Sequence, residues 1–98
     1  MTLPGGLNLL LSDRRAKADI AEVDVLPGGI RLYAFRYRGD TAMRVGVIAQ
    51  DLLADARYRS AVHDVGGLYA VDYAALGLRM ATLAEWRALG LAAVRARP

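Results

Sequence analysis

Ser12-Asp13-Arg14-Arg15-Ala16-Lys17 sets a candidate nucleophile beside the chain's single lysine, and its reading decides how the first quarter of the chain folds. Twelve arginines accompany that lysine. Where positive charge is supplied almost wholly as arginine, a lone lysine invites a reason. Lysine, unlike arginine, can lose its proton when buried, and a general base must do so. Chance placement is the rival account. Inside one ideal helix a separation of five residues sets two side chains about 140° apart, so Ser12 must stand at or before a helix start to meet Lys17. Serine and aspartate favour that position, where their oxygens accept bonds from unpaired first-turn N–H groups. Ser12 or Asp13 is therefore expected to cap an amphipathic helix running to about Val25, with Lys17 folding back to Ser12 Oγ. The positive end of such a helix would also help to stabilise an oxyanion.

Upstream, residues 1–11 hold the Pro4-Gly5-Gly6 break and an apolar run from Leu7 to Leu11. They read as an apolar arm too short to fold alone, which must lie against the domain or a partner. Downstream, residues 12–98 read as one domain. Ile20, Val23 and Leu26 give the first helix a weak stripe, which Pro27-Gly28-Gly29 stops. Ile30 to Arg38 has strand character, with Tyr33, Phe35 and Tyr37 on one face and Leu32, Ala34 and Arg36 on the other. Gly39-Asp40 marks a turn. A short strand from Met43 through Gly46 leads into a middle helix over Val47 to Ala54, with Gln50 and Asp51 pointing outward. Gly66-Gly67, between Ser60 to Val65 and Leu68 to Asp72, signals a β-hairpin.

Asp72 is then expected to cap a long C-terminal helix over about residues 72–96. Along it Tyr73, Leu76, Met80 and Leu83 recur at the spacing of inward coiled-coil positions, which makes them the candidate contact between subunits. A helix packed on its own domain fits the same pattern. Arg87 and Gly90 break the next repeat, and Gly77 and Gly90 each cost such a helix about 1 kcal/mol relative to alanine.

Composition narrows the function. A chain of 98 residues is one domain, and it buries only about two-thirds of the surface its unfolded form exposes. An apolar content of 55% is high for so small a core and leaves apolar surface for another subunit. The net charge of +3 comes from dispersed arginines with no block of like charge, so no nucleic-acid partner is expected. Arg31 to Arg38 alternates arginine with aromatics as a base-stacking strip would, but a half-buried strand explains it more simply. With no cysteine there is no disulfide and no thiolate metal site, and neither metal nor cofactor is expected. The opening residues lack the basic start and small-residue cleavage site of a secretion signal. No run approaches the roughly 18 apolar residues of a membrane span. An enzyme on a diffusible substrate has little support, because no phosphate loop, paired histidine ligands or Gly-x-Ser-x-Gly element occurs. His63, the only histidine, reads first as a polar hairpin position and second as a relay near Ser12.

Taken in order, Ser12-Asp13-Arg14-Arg15-x-Lys17 with Asp19-Ile20, Tyr33 to Tyr37, Gly46-Val47-Ile48-Ala49-Gln50, Gly67 and Val71-Asp72-Tyr73 resemble a known domain. It is the intramolecular chaperone domain of phage tailspikes and tail fibres, the S74 peptidase family. That family is known from endosialidase tailspikes and shared with the myelin regulatory transcription factors. The resemblance spans Ser12 to about Leu83. It implies an α+β domain at the C-terminal end of a fibre protein, assembling as a homotrimer, helping the preceding fibre to trimerise and then cutting itself off. Ser12 matches the family's nucleophile, Lys17 its base, and Leu11-Ser12 the bond broken once, in cis. Other virion tail or fibre proteins are the implied partners. The implied location is the virion tail or fibre, after synthesis in the bacterial host cytoplasm.

Lys17 must be neutral to act, and lowering its pKa to about 7 costs roughly 4 to 5 kcal/mol, which burial and neighbouring arginines would supply. A monomer is expected to be too open for that, so subunit contacts would complete the burial. The chemistry turns over once on a tethered bond, so a barrier near 22 kcal/mol, with a half-life of about half an hour, suffices. Asp13 reads as a capping carboxylate, and Gln50 and Asp72 as structural. Only eleven residues precede Ser12. The chain is accordingly expected to carry no fibre cargo, which favours the alternative of a non-cleaving structural or adaptor subunit of a virion tail.

Overall fold

A computed structural model describes residues 9–96. Their strands are β1 (Leu9–Leu11), β2 (Lys17–Val25), β3 (Arg31–Tyr37), β4 (Met43–Gly46), β5 (Val62–Val65), β6 (Leu68–Asp72) and β7 (Ala81–Thr82). The α-helices are α1 (Ala49–Leu53) and α2 (Leu83–Leu89). Two antiparallel sheets result, one ordered β1-β6-β5 and the other β2-β3-β4-β7, in an α+β fold. β3 lies inside the larger sheet, and its residues Leu32, Tyr33, Ala34 and Phe35 are all buried. Such a strand needs apolar residues on both faces, and β3 supplies them. Leu32 and Ala34 join Val45, Val47, Leu52 and Val71 in the core between the sheets. Complete burial of a side chain such as Phe35 stabilises the fold by about 2 to 3 kcal/mol.

The strands from Arg31 and Met43, the middle helix and the hairpin are where the sequence predicts them. Gly66 and Gly67, at φ 63° and 91°, form the left-handed turn that a two-residue hairpin requires. The arm is seen in part: Leu9–Leu11 is β1, paired with Ala70–Asp72 of β6. The rest of the arm, residues 1–8, lies outside the described residues.

Two helices expected from the sequence are not formed. After Ser12 there is only a 3-10 turn, Arg14–Ala16, capped by Asp13 rather than Ser12, and the chain then enters β2. The reason is the β-bulge. Register shifts between Ala18 and Ala21 and between Glu22 and Asp24 break the two-residue alternation of β2, so the apolar residues Ile20 and Val23 fall three apart, as on a helix. Asp19 occupies the first bulge at φ 52°, with its carboxylate accepting from Arg36 Nε at 2.6 Å. Aspartate tolerates that left-handed backbone better than most residues.

The long C-terminal helix over 72–96 is likewise replaced. Asp72 ends β6 and its carboxylate accepts from Ala75 N at 3.3 Å, opening only a 3-10 turn, Ala74–Leu76, which Gly77 closes at φ 70°. β7 then pairs with β4, and α2 begins at a capping box in which Thr82 and Glu85 bond each other's backbone N–H. Gly90, at φ 59°, ends α2. Arg79 N donates to Val94 O at 2.8 Å, so the last described residues fold back on the domain. Tyr73, Leu76, Met80 and Leu83 therefore share no helix face. Tyr73 is buried in its own chain, and the other three are partly buried against the core. Among the described residues no helix is long and apolar enough to cross a membrane.

Candidate active site

Ser12 follows β1 directly, and the pairing of that strand continues through it: Ser12 N donates to Tyr69 O at 3.1 Å. Ala49 N, at the start of α1, donates to Ser12 O at 2.9 Å. Both backbone groups of the serine are thus fixed by separate elements, and its side chain is fully buried. The Leu11 carbonyl, on the other side of the same peptide bond, accepts from Tyr37 Oη at 2.6 Å. The Leu11-Ser12 bond is held at its oxygen by β3 and at its nitrogen by β6.

Lys17 opens β2 opposite Tyr37 of β3 and is 1% exposed. Its Nζ donates to Val47 O at 2.7 Å and stands 3.8 Å from the centroid of the Phe35 ring. Burial pushes its pKa down to about 7, against the attraction of Asp13. This differs from expectation in two ways: a single chain completes the burial, and desolvation rather than neighbouring arginine lowers the pKa. Burial within one chain thus favours the neutral amine without a partner subunit.

Ser12 Oγ lies 3.2 Å from Tyr73 Oη, and that phenol also accepts from Val47 N at 2.9 Å. Val47 thus links the pair, its N–H bound to the tyrosine that holds Ser12 and its carbonyl bound to Lys17. No direct hydrogen bond joins Ser12 to Lys17. Gly46 makes the arrangement sterically feasible, because a Cβ there would collide with the Tyr73 hydroxyl. Burial raises the Tyr73 pKa to about 12, so this phenol is protonated at neutral pH.

Asp13 is the anchor beneath these groups. Its buried carboxylate accepts from Arg15 N, Nε and Nη2 at 2.8, 3.0 and 2.7 Å, from Gln50 Nε2 at 2.9 Å and from Tyr69 N at 3.1 Å. The Arg15 guanidinium first, then the backbone and Gln50 donors, hold it well below the usual carboxylate range despite burial. Gln50 does not point away as expected: its Oε1 accepts from Arg14 N at 2.9 Å, tying the turn to α1. His63 pairs with Ala70, which on its other side pairs with Leu11, so it lies two strands from the arm. Its side chain makes no hydrogen bond to Ser12.

Sequence reading singled out Ser12 and Lys17, both of which the fold buries, but placed Tyr73 at a subunit contact and did not foresee the hydrogen bonds of Tyr73 to Ser12 and of Tyr37 to Leu11. Tyr73 was visible as a position in an apparent heptad and in the Val71-Asp72-Tyr73 motif, and Tyr37 as one face of a strand and the end of the Tyr33 to Tyr37 motif, neither with a contact to Leu11 or Ser12 assigned to it. The Gly46-Val47 pair offered a signal, since a glycine ahead of an apolar run often marks close backbone approach.

The family described as Peptidase S74, "Chaperone of endosialidase", matches residues 12–63, more than half of the chain. No curated protein and no solved structure matches it.

Proposed function

From the premise that this chain belongs to the chaperone-of-endosialidase family, we propose that it is a trimer-forming intramolecular chaperone domain of a phage tail fibre or tailspike, or of a phage-tail-like particle, that severs its own Leu11-Ser12 bond. The observation that carries the cleavage reading is the burial of Ser12 and of a lysine with a pKa near 7 around one doubly held peptide bond. Neutral Lys17 donates one N–H to Val47 and retains a lone pair for a proton. In the proposed step Lys17 swings from Val47 to take the proton of Ser12 Oγ, and Oγ bonds to the Leu11 carbonyl carbon. The resulting tetrahedral centre collapses with loss of the Leu11-Ser12 C–N bond, and Lys17 returns the proton to the departing Ser12 nitrogen. Water then hydrolyses the Leu11–Oγ ester, leaving a Leu11 carboxylate and a free Ser12 amine and hydroxyl. No cofactor enters.

The homotrimer and the virion tail location belong to the same proposal, with other tail or fibre proteins as partners. Leu76, Met80 and Leu83 retain partial exposure for subunit contact, whereas Tyr73 is enclosed. Val25 and Leu89, 49% and 59% exposed, add apolar surface that a neighbouring subunit would cover. A second reading, a non-cleaving structural or adaptor subunit, is favoured by the absence of a Ser12–Lys17 hydrogen bond. The two separate by intact mass after days at 25 °C, with light scattering on the same samples. Cleavage predicts loss of residues 1–11 from the parent and no loss from Ser12→Ala or Lys17→Met. An unchanged parent mass selects the non-cleaving subunit, and a monomer at high micromolar concentration removes the trimer.

A further inference from the structure

We propose that Tyr37 is a catalytic residue of the self-cleavage, its hydroxyl serving as the donor that stabilises the oxyanion formed on the Leu11 carbonyl oxygen. This rests on the cleavage reading above and adds to it the group that receives the developing charge. Attack by Ser12 Oγ turns the Leu11 carbonyl oxygen into an alkoxide, and a donor already fixed at that oxygen lowers the barrier because it needs no reorganisation as the charge develops. Tyr37 Oη is the side-chain donor at that atom, 2.6 Å away. Ser12 N is committed to Tyr69 O and belongs to the departing amide.

The phenol is built for this position. Its ring packs edge-on against Phe35 at 5.3 Å between centroids and 82° between planes, so the hydroxyl has little freedom to swing away. Burial holds its pKa well above the ordinary phenol value, so the proton stays on Tyr37 as charge gathers on Leu11. The Arg44 guanidinium lies 5.9 Å from the ring centroid, and its buried Nε has no hydrogen-bond partner. A positive charge there favours negative charge on the phenol-bound oxygen. A cleft of about 380 Å3, lined by Leu11, Ala16, Tyr37, Arg38, Asp40 and Arg44, opens on this side of the peptide bond. It leaves the carbonyl room to become tetrahedral and gives water a route to the ester.

The test is the cleavage rate of the full chain from pH 5.5 to 9, followed by intact mass, for the parent, Tyr37→Phe and a chain with 3-fluorotyrosine at position 37. Thermal unfolding checks that each is folded. Removing one oxyanion donor slows such reactions about 100- to 1000-fold. Tyr37→Phe is expected to lower the plateau by that factor and leave the midpoint near pH 7, because Lys17 still sets it. The fluorinated phenol, a stronger donor of nearly the same shape, should match or exceed the parent rate. A Tyr37→Phe rate within threefold of the parent would overturn the assignment. So would a raised midpoint, the mark of a loosened, hydrated site, or a fluorotyrosine chain as slow as the phenylalanine variant. A parent that never cleaves removes the cleavage reading itself and this assignment with it.

Discussion

Replacing Lys17 with methionine is expected to make the folded domain more stable by about 1 to 4 kcal/mol at pH 6, although the proposed cleavage needs the lysine. Burial pushes the Lys17 pKa from 10.5 to about 7, and that difference corresponds to about 4 to 5 kcal/mol of cost for a charged amine in the fold. Methionine has similar length and no charge to desolvate. The substitution leaves Val47 O without its donor, at about 1 to 3 kcal/mol, so a net gain remains. The pH dependence follows from the same shift. The folded midpoint lies below the unfolded one, so between pH 7 and about 10 the unfolded chain binds more protons and parent stability rises with pH. Above about pH 10 the raised pKa values of buried Tyr37 and Tyr73 reverse the trend. Urea unfolding of the parent and Lys17→Met, on a Ser12→Ala background that keeps the chain whole, should show curves that converge as pH rises from 7 to 10. Parallel curves would mean that Lys17 is not buried as a strained cation.

Asp13→Ala is expected to have the opposite sign and nearly the same size, a loss of about 3 kcal/mol. The carboxylate collects donors from its own turn, α1 and β6, and alanine would leave Tyr69 N and Gln50 Nε2 facing a cavity. Arg15 is 62% exposed on its side chain and would be resolvated by water, which keeps the loss from being larger. For a domain of this size the expected fall in melting temperature is roughly 12 to 24 °C. The same variant carries a second, electrostatic signature. Asp13 is the charge that opposes desolvation of Lys17, so its removal should move the cleavage midpoint below pH 7. A melting temperature within a few degrees of the parent would show that the Asp13 network is not a structural anchor.

Much of this fold is legible in the sequence where local chemistry and tertiary structure agree. Gly66-Gly67 demands a left-handed turn, so the hairpin can be read directly. The strand character of β3 is equally plain, although it was expected to be half-buried and is buried on both faces because it lies inside the larger sheet. The first quarter is harder, because the bulges in β2 add residues that make Ile20 and Val23 imitate helical spacing. The C-terminal quarter misleads through composition: alanine, leucine and arginine favour helix, yet Gly77 and Gly90, both at positive φ, end the Ala74–Leu76 turn and α2. The Thr82-Leu83-Ala84-Glu85 capping box was a readable marker of the true helix start. Ser12 and Lys17 stand out because a serine in a candidate capping position precedes the chain's single lysine. Tyr37 reaches Leu11 only when the larger sheet closes on the smaller one, and Tyr73 reaches Ser12 only once β1 pairs with β6, contacts 26 and 61 residues apart that no local pattern encodes.

The single lysine also makes the decisive group directly observable. With lysine labelled by carbon-13 at Cε in a Ser12→Ala chain, one side-chain signal reports the Lys17 titration without assignment. A midpoint near pH 7 is the expected result, giving the neutral amine that the proposed cleavage requires. A midpoint near 10.5 would contradict it, leaving a permanently charged amine that cannot take the serine proton.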